Sequence, residues 1–468
     1  MTDSFLAGLV RSLPAGIVST DPTDLAASAV DQGPVLDHRL PIAVVRAQSV
    51  EDVQAVMRAA HVAGVPVVCR GAGTGVSGGA HATEGCLVLN LQGMDRILEI
   101  HPEDEIARVE PGVVNSDLNA AVAEYGLMYA PDPASYRLST IGGNIATNAG
   151  GLRCAKYGVT RESVLALDVV LADGTLIHTG HRTFKGVAGY DLTGLFVGSE
   201  GTLGVVVGAT VRLRYLPAAV ETVAAFFPDV AAAAAGVLAV GRARVQPAIM
   251  ELLDGNTMAQ LDMEQGSNLR SRGGALLLIQ TDGYAAGVEA GIISEVLTGL
   301  GGDIKAADAE EAVRLVDLRR HSRGAEVDDD FRVGEDVAVP RSQLVHYIHQ
   351  LQGIAERHGV GLKVVAHAGD GNLHPTFWVG PGDVAKVPAL NAALDESIDV
   401  GLALDGTITG EHGVGQYKVR WLGREQSEEV LELQRRLKDV FDPQRLLNPG
   451  KALPEGRTRQ QAVASDVG

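Results

Sequence analysis

The spacing of apolar residues divides the chain into segments of helical and of strand character. Between Ser49 and Gly64 the apolar residues recur at helical spacing, so we predict a helix with a serine N-cap and a glycine at its end. The apolar run 65–69 follows directly and predicts a buried strand. Shorter apolar runs predict strands at 41–45, 86–91, 96–100 and 106–109, and a helix is predicted at 115–125.

From residue 218 onward, longer helical patterns alternate with apolar strand patterns. Helices are predicted at 229–241, 284–299, 309–322, 341–357 and 425–440, and strands at 247–253, 275–281, 333–339 and 361–367. Upstream, Asp173-Gly174 lies between two apolar runs and predicts a hairpin. The pattern indicates an α+β protein with domains at 1–217 and 218–440, followed by a C-terminal segment at 441–468 whose last 15 residues are expected to form a disordered tail.

A glycine-rich loop, Arg70-Gly71-Ala72-Gly73-Thr74-Gly75-Val76-Ser77-Gly78-Gly79, follows the strand predicted at 65–69. Glycines remove side chains from one surface of the backbone, so that peptide N–H groups can approach a ligand closely. Such a surface suits a pyrophosphate, and Arg70 adds a cation with planar donors. The alternative is an ordinary glycine-rich turn between strands.

Two further loops favour ligand contact. Residues 131–158 are rich in Gly, Asn, Ser and Thr and show no regular helical or strand period. A loop of this length is unusual in a compact domain unless it has a function. Residues 197–213 are also punctuated by glycines and lead into a strand that ends at Pro217.

Composition narrows the functional classes. The formal charge of −19, from 39 basic and 58 acidic residues, argues against nucleic acid and anionic lipid as partners. Cys69, Cys86 and Cys154 stand apart, which indicates neither a disulfide framework nor an iron–sulfur cluster. The N-terminus does not resemble a signal peptide, and no run of about 18 apolar residues occurs. We therefore expect a cytoplasmic protein without a transmembrane anchor.

Histidines and acidic residues in the second domain suggest a metal site. If Asp370-Gly371 is the two-residue turn of a hairpin, His367 lies directly opposite His374, and two imidazoles can converge on one metal ion. Glu411 and His412, between glycines, could complete the site. Zinc is the first expectation, with iron or manganese as alternatives; a pair of histidines that only caps a sheet is the structural alternative.

Six motifs in order give the chain a resemblance to a known family. They are PVVCRGAGTGVSGG, TIGGNIATNAGG with KYG, GSEGTLGVV, HAGDGNLHP, GEHGVG and NPGK, and they extend from about residue 40 to 451. The chain resembles the FAD-linked oxidoreductases that include the glycolate oxidase FAD subunit, D-lactate dehydrogenase and D-2-hydroxyglutarate dehydrogenase. The resemblance implies a two-subdomain FAD-binding domain of the vanillyl-alcohol-oxidase type at 1–217, an α+β cap domain with an antiparallel sheet at 218–440, and a return of 441–468 to the FAD domain.

The resemblance also implies positions for the cofactor. The pyrophosphate would be held by Arg70, Gly71, Ala72, Gly73, Thr74, Gly75, Ser77 and Gly78. The flavin would be lined by Pro131, Thr140, Gly143, Asn144, Ala146 and Asn148, the adenosine side by Glu200, Gly201, Thr202 and Val205, and Asn448 would return the C-terminus to the flavin. Some relatives attach FAD through a histidine in the glycine loop. Thr74 stands at that place here, so non-covalent FAD is expected.

Catalytic positions are implied in the same way. The metal ligands of the family fall on His367, His374 and Glu411, and its base falls on His412. Arg319 matches an arginine that clamps the substrate carboxylate, with Arg323 as a second candidate; a solvated helix face is the structural alternative for both. Thr376, a substrate-side candidate, and Gly334 stand where 2-hydroxyglutarate members carry asparagine and lysine.

The implied reaction is metal-assisted oxidation of a D-2-hydroxy acid of the lactate or glycolate class to the 2-oxo acid. Electrons would pass to an external acceptor, which could be a quinone, a cytochrome, an electron-transfer flavoprotein or a partner subunit. Peripheral contact with a membrane through that acceptor is an open alternative. A homodimer is an open alternative as well. D-2-hydroxyglutarate oxidation is the alternative substrate. An alkyl-dihydroxyacetone-phosphate-synthase-like transferase and a non-catalytic flavin subunit are the alternatives from other classes.

Overall fold

A computed structural model describes residues 2–306, 309–320, 322 and 331–454. The described part of the N-terminal domain begins with a four-stranded sheet of order β1-β2-β4-β3, in which β2, β4 and β3 run parallel. Its elements are α1 (Thr2–Ser12), β1 (Val18–Ser19), α2 (Pro22–Ala27), β2 (Ala43–Arg46), α3 (Val50–Ala63), β3 (Val67–Arg70) and β4 (Leu87–Asn90). The side chain of Ser49 caps α3, and Gly64 ends it in the left-handed conformation, as the sequence predicts.

A second sheet follows, antiparallel, with the order β5-β6-β10-β8-β9 among the described strands. Its strands are β5 (Ile97–His101), β6 (Ile106–Val109), β8 (Val164–Val170), β9 (Leu176–Gly180) and β10 (Val205–Arg212), and β7 (Leu127–Met128) pairs separately with β11 (Arg214–Tyr215). The helices are α4 (Asn115–Ala123), α5 (Ile141–Thr147), α6 (Cys154–Tyr157), α7 (Thr160–Ser163) and α8 (Thr193–Phe196). The hairpin predicted at Asp173-Gly174 joins β8 to β9. The loop predicted at 131–158 contains the short helices α5 and α6.

The cap domain is built on an antiparallel sheet of order β15-β12-β14-β13-β18-β19-β16, with β17 also paired to β19. Its strands are β12 (Val220–Phe227), β13 (Ile249–Asp254), β14 (Ala275–Asp282), β15 (Asp303–Ala306), β16 (Phe331–Gly334), β17 (Val337–Ala338), β18 (Gly361–His367) and β19 (Asn372–Val379). The helices are α9 (Val230–Arg242), α10 (Gly255–Gln265), α11 (Ala286–Gly299), α12 (Ala309–Arg320), α13 (Leu344–His358), α14 (Val387–Ala403), α15 (Val419–Glu425) and α16 (Glu428–Phe441). Single 3₁₀ turns occur at Pro102–Asp104, Arg270–Arg272, Arg341–Gln343 and Val384–Lys386.

Both faces of the cap sheet are buried, which explains why its strands read as continuous apolar runs. Along β12, Ala225 and Phe227 join the core beneath α9 and α13, whereas Ala224 and Phe226 join the core that includes Leu318 of α12. The predicted single strand at 333–339 is wrong: it is divided into β16 and β17. The intervening Glu335 and Asp336 are buried.

The C-terminal segment returns to the N-terminal domain. The backbone N–H of Val67 donates to Leu446, and that of Asn448 donates to Val67, so the segment lies alongside β3. The tail expected at the last 15 residues lies outside the described residues, apart from Pro454. None of the described helices combines the length and the apolar character needed to cross a bilayer.

Candidate active site

The two histidines of the cap hairpin converge, but not in the predicted register. In the β18–β19 ladder His367 pairs with Asn372, and His374 pairs with Val365, so the turn has four residues rather than two. Gly369 donates its N–H to Met250 of β13 instead of entering the hairpin ladder, which widens the turn. Residues two apart on a strand share a face. The two imidazoles therefore still meet, edge to face, with ring centroids 5.1 Å apart.

Glu411 brings both histidines to one point. Its Oε1 atom lies 3.2 Å from Nε2 of His367 and 3.3 Å from Nε2 of His374. One ligand atom from each of the three residues can be chosen so that all lie within 4.8 Å of one another. His412, the next residue, stacks on His374 at a centroid distance of 4.9 Å, and its Nε2 lies 3.9 Å from the same Glu411 oxygen.

Carboxylates lie behind this cluster. Glu251, fully buried on β13, accepts at 2.8 Å from Nδ1 of His367. Arg319 donates from Nε to the other oxygen of Glu251 at 2.6 Å, and its Nη2 lies 3.5 Å from the same imidazole nitrogen. Asp336, also fully buried, faces Nδ1 of both His374 and His412, at 3.8 and 4.0 Å.

These charges set the protonation states. Burial alone would lower the pKa of His367, but Glu251 and Glu411 raise that pKa well above its usual range. Burial would raise the pKa of Glu411, yet the neighbouring His367 and His374 hold it well below its usual range. Burial lowers the pKa of His412 to about 4, although Asp336 and Glu411 oppose the change, so this imidazole is neutral at ordinary pH.

The residues of the cluster fit a divalent metal. Two imidazole nitrogens and one carboxylate oxygen form a donor set that suits zinc and related cations. His374 has a buried Nδ1 without a hydrogen-bond partner, and His367 holds a proton between two carboxylates. A cation bound at Nε2 would take the place of that charge, because metal ligands must be deprotonated.

A cleft of about 400 Å³ runs through the N-terminal domain to this cluster. The glycine loop forms one wall, and Gly73, at φ 71°, leaves room for the guanidinium of Arg70, which donates to the carbonyl oxygen of Val30. Asn144 in the opposite wall has a buried side-chain nitrogen without a partner. The peptide groups and this free donor fit a phosphate-containing cofactor with polar ring edges.

Most residues predicted to hold FAD line this cleft. They are Arg70, Gly71, Ala72, Gly73, Thr74, Gly75, Ser77, Thr140, Gly143, Asn144, Ala146, Glu200, Gly201 and Val205. The other predicted residues do not line the cleft, and these are Gly78, Pro131, Asn148, Thr202 and Asn448. Asn448 donates to the carbonyl oxygens of Gly79 and Glu200 and so fastens two glycine loops together.

The predicted substrate residues occupy different positions. Arg319 is buried beside Glu251, outside the lining of the cleft, whereas its neighbour Arg320 lies in the wall together with Glu411 and His412. Thr376 pairs directly with Gly334 across β19 and β16. Arg323 lies outside the described residues.

Sequence reasoning missed three charged residues of the site. Glu251 and Asp336 interrupt apolar strands, and a charge in such a run is a detectable signal because an unpaired buried charge is costly. Arg320 donates to the carboxylate of Asp132 at 2.7 Å and lies over the ring of Tyr136. Because Arg319 and Arg320 are adjacent, the sequence could not show which of the two faces the cleft.

Comparisons with known proteins show the family and the fold of the chain. The chain matches the family described as "FAD linked oxidases, C-terminal domain" over residues 216–452 and the "FAD binding domain" over residues 41–180. It is 39% identical to the "Glycolate oxidase subunit GlcD" of Bacillus subtilis over 91% of each chain, and 35% identical to the "D-lactate dehydrogenase" of Archaeoglobus fulgidus over 88% of this chain and 91% of the relative. A solved structure of p-cresol methylhydroxylase shares the fold, with a TM-score of 0.81, 18% identity and 97% coverage of both chains.

Proposed function

The chain belongs to the family of FAD-linked oxidases, and from this premise we propose that it oxidises a small D-2-hydroxy acid of the lactate or glycolate class to the 2-oxo acid. The observation that carries the proposal is the convergence of His367, His374 and Glu411 at the end of the cleft, with His412 beside them. This oxidation requires a cofactor cleft that reaches a cluster of metal ligands.

The residues of the cluster have different roles in the proposed reaction. When bound, FAD supplies the acceptor for the C2 hydride and the metal supplies Lewis acidity toward the substrate hydroxyl. His367, His374 and Glu411 would hold the metal. His412 takes the hydroxyl proton at Nε2, because its neutral imidazole is a free base and Nε2 faces the cluster. Zinc is the first expectation for the metal, with iron or manganese as alternatives.

We keep Arg319 as the proposed partner of the substrate carboxylate, although its side chain is buried and lies outside the lining of the cleft. Its Nη2 lies 3.5 Å from the ring of His367, next to the metal ligands, while its Nε is occupied by Glu251. Neither Thr376 nor its partner Gly334 is charged, but Lys363 pairs with Thr376 from the other neighbouring strand, so a cation lies on the same face of the sheet. The preference for a monocarboxylic acid over D-2-hydroxyglutarate therefore rests on the relatives, which include a glycolate oxidase subunit and a D-lactate dehydrogenase.

The electrons must leave to an external acceptor, and we propose a dehydrogenase that passes them to a quinone, a cytochrome, an electron-transfer flavoprotein or a partner subunit. A homodimer, a cytoplasmic location and peripheral contact with a membrane through that acceptor belong to the same proposal. The charge of −19 favours partners other than nucleic acid.

The experiment is turnover with an artificial dye acceptor, using the purified protein loaded with FAD and zinc. The substrates are D-lactate, L-lactate, glycolate, D-malate and D-2-hydroxyglutarate. We expect the highest kcat/KM with D-lactate or glycolate. A preference for D-2-hydroxyglutarate would contradict the substrate class, and no turnover with any acid would favour the transferase or the non-catalytic subunit.

A further inference from the structure

Asp336 occupies a central place behind the active site although it is not one of the proposed metal ligands or the proposed base. It lies in the break between β16 and β17, and its side chain is fully buried. Its Oδ2 accepts from the backbone N–H of His412 at 2.9 Å and from the hydroxyl of Thr409 at 2.7 Å. The N–H of Glu411 lies 3.1 Å from the same oxygen. This one carboxylate therefore fixes the loop that carries both Glu411 and His412.

The same carboxylate faces two imidazoles in the same way. Oδ1 lies 3.8 Å from Nδ1 of His374, and Oδ2 lies 4.0 Å from Nδ1 of His412. The two rings are stacked with only 13° between their planes. In both rings Nε2 lies on the opposite side, toward Oε1 of Glu411, at 3.3 and 3.9 Å. Each ring thus lies between an outer carboxylate at Nδ1 and the metal-ligand carboxylate at Nε2.

His367 repeats this arrangement with a different outer carboxylate. Its Nδ1 contacts Glu251 at 2.8 Å, and its Nε2 faces Glu411 at 3.2 Å. A carboxylate at one nitrogen of a metal-binding imidazole favours the tautomer with the proton at that nitrogen, and a cation held by Glu411 would cancel the competing attraction of that carboxylate at Nε2. Three histidines from two segments of the chain are therefore aligned with Nε2 inward.

We propose that Asp336 is a positioning residue that holds His374 and His412 as the tautomers with a proton at Nδ1, so that Nε2 of one is free for a metal and Nε2 of the other for a proton. The inference rests on the proposed function for the task of each histidine, but the tautomers themselves do not depend on substrate. The separations of 3.8 and 4.0 Å exceed a hydrogen bond, so the carboxylate acts on the rings by its charge and by the loop that it fixes.

The neighbouring Glu335 provides a matched control. It is also buried, at 1% exposure, and is adjacent in the chain, but neither of its carboxylate oxygens has a hydrogen-bond partner among the described residues. Asp336→Asn and Glu335→Gln each replace one buried carboxylate by an amide of the same shape. Only the first removes the charge that faces the two rings.

The first experiment measures zinc affinity of the FAD-loaded protein by competition with a chelator, without substrate. We expect Asp336→Asn to weaken zinc binding about 10- to 100-fold, the usual cost of losing a group that orients a metal ligand, and Glu335→Gln to change it less than twofold. Equal affinities for the wild type and Asp336→Asn would overturn the proposal, as would an equal loss in both variants.

A second experiment avoids the risk that Asp336→Asn does not fold. In the ¹⁵N-histidine-labelled wild-type protein with zinc, long-range NMR correlations distinguish a protonated from an unprotonated ring nitrogen, and His374→Asn and His412→Asn assign the signals. We expect protonated Nδ1 in both rings. A proton at Nε2 of His412, or zinc at Nδ1 of His374, would overturn the proposal; the latter would mean that Asp336, His374 and His412 themselves form the metal site. Absence of turnover would instead contradict only the proposed function.

Discussion

The carboxylate of Glu411, in the cap domain, lies directly against Gly150, in the N-terminal domain. A Cβ atom built on Gly150 would meet Oε2 of Glu411 and would lie 3.0 Å from its Cβ. The glycine therefore leaves the space into which the Glu411 carboxylate extends, and it links the 131–158 loop of one domain to the cluster of His367, His374 and Glu411 in the other.

This contact predicts a specific effect of Gly150→Ala. The added methyl group would displace Glu411, whose backbone is held by Asp336 and cannot retreat freely. We expect zinc affinity to fall at least about tenfold while FAD remains bound. Gly291→Ala, on an exposed helical face with open space around it, is the control and should change neither property. Unchanged zinc affinity in Gly150→Ala would contradict the role of Glu411 as a ligand.

The second prediction concerns His412 as the base. His412→Asn should lower kcat about 10²- to 10⁴-fold, the usual contribution of a positioned base, with a smaller change in KM. Because the neutral imidazole is the active form and its pKa is about 4, wild-type kcat should fall as the pH drops through that value and stay level above it. The measurement is kcat between about pH 3 and pH 8, so that the range extends to both sides of this pKa. A variant that retains the wild-type rate and profile would remove His412 from this role.

The third prediction concerns stability and pH. Burial raises the pKa of Glu335 from its ordinary 4.5 to about 7. The folded protein therefore holds this proton where the unfolded chain has lost it, and the free energy of unfolding should decrease as the pH rises from about 4.5 to 7. Relative to the wild type, Glu335→Gln should gain about 3 kcal/mol between pH 4.5 and 8, from 1.36 kcal/mol per pKa unit.

Denaturant unfolding of the wild type and of Glu335→Gln at the two pH values measures this difference. The glutamine keeps the shape of the side chain without a titrating proton. A difference between the two proteins that does not vary with pH would mean that Glu335 keeps its ordinary pKa.

The fourth prediction concerns the contact between the domains at the cleft wall. Arg320 and Asp132 form a nearly buried ion pair, with side-chain exposures of 12% and 9%. A charge-assisted hydrogen bond of this kind contributes about 1.5–3 kcal/mol. A double-mutant cycle with Arg320→Met and Asp132→Asn should therefore give a coupling energy of about 1–3 kcal/mol in thermal or denaturant unfolding. Additive effects of the two substitutions would show that the pair does not join the domains.

The sequence predicted the elements better than their register. The helix from Ser49 to Gly64 was predicted because its cap signals are local. The register of the β18–β19 hairpin was not, because Asp370-Gly371 matches a two-residue turn, whereas the actual turn has four residues, of which Gly369 donates to another strand. His367 and His374 still converge, since a shift of two residues keeps a side chain on the same face.

The candidate site was also predicted only in part. His367, His374, Glu411 and His412 stand in the motifs HAGDGNLHP and GEHGVG, so they could be selected from the sequence. Asp336 supports them through contacts with residues more than 70 positions away. Such contacts depend on how β16, β17 and the 409–415 loop come together, which no local pattern contains.

The most direct test of the account is anaerobic reduction of the bound flavin in a stopped-flow spectrometer. The wild type and His367→Ala, both loaded with FAD and offered zinc, are mixed with D-lactate, glycolate or D-2-hydroxyglutarate. The account predicts rapid bleaching of the wild type by D-lactate or glycolate, and an FAD-containing His367→Ala protein that bleaches at least about 10²-fold more slowly. Equal bleaching of both proteins would contradict a metal-assisted oxidation at this cluster, and no bleaching of the zinc-loaded wild type by any of the acids would contradict the oxidation itself.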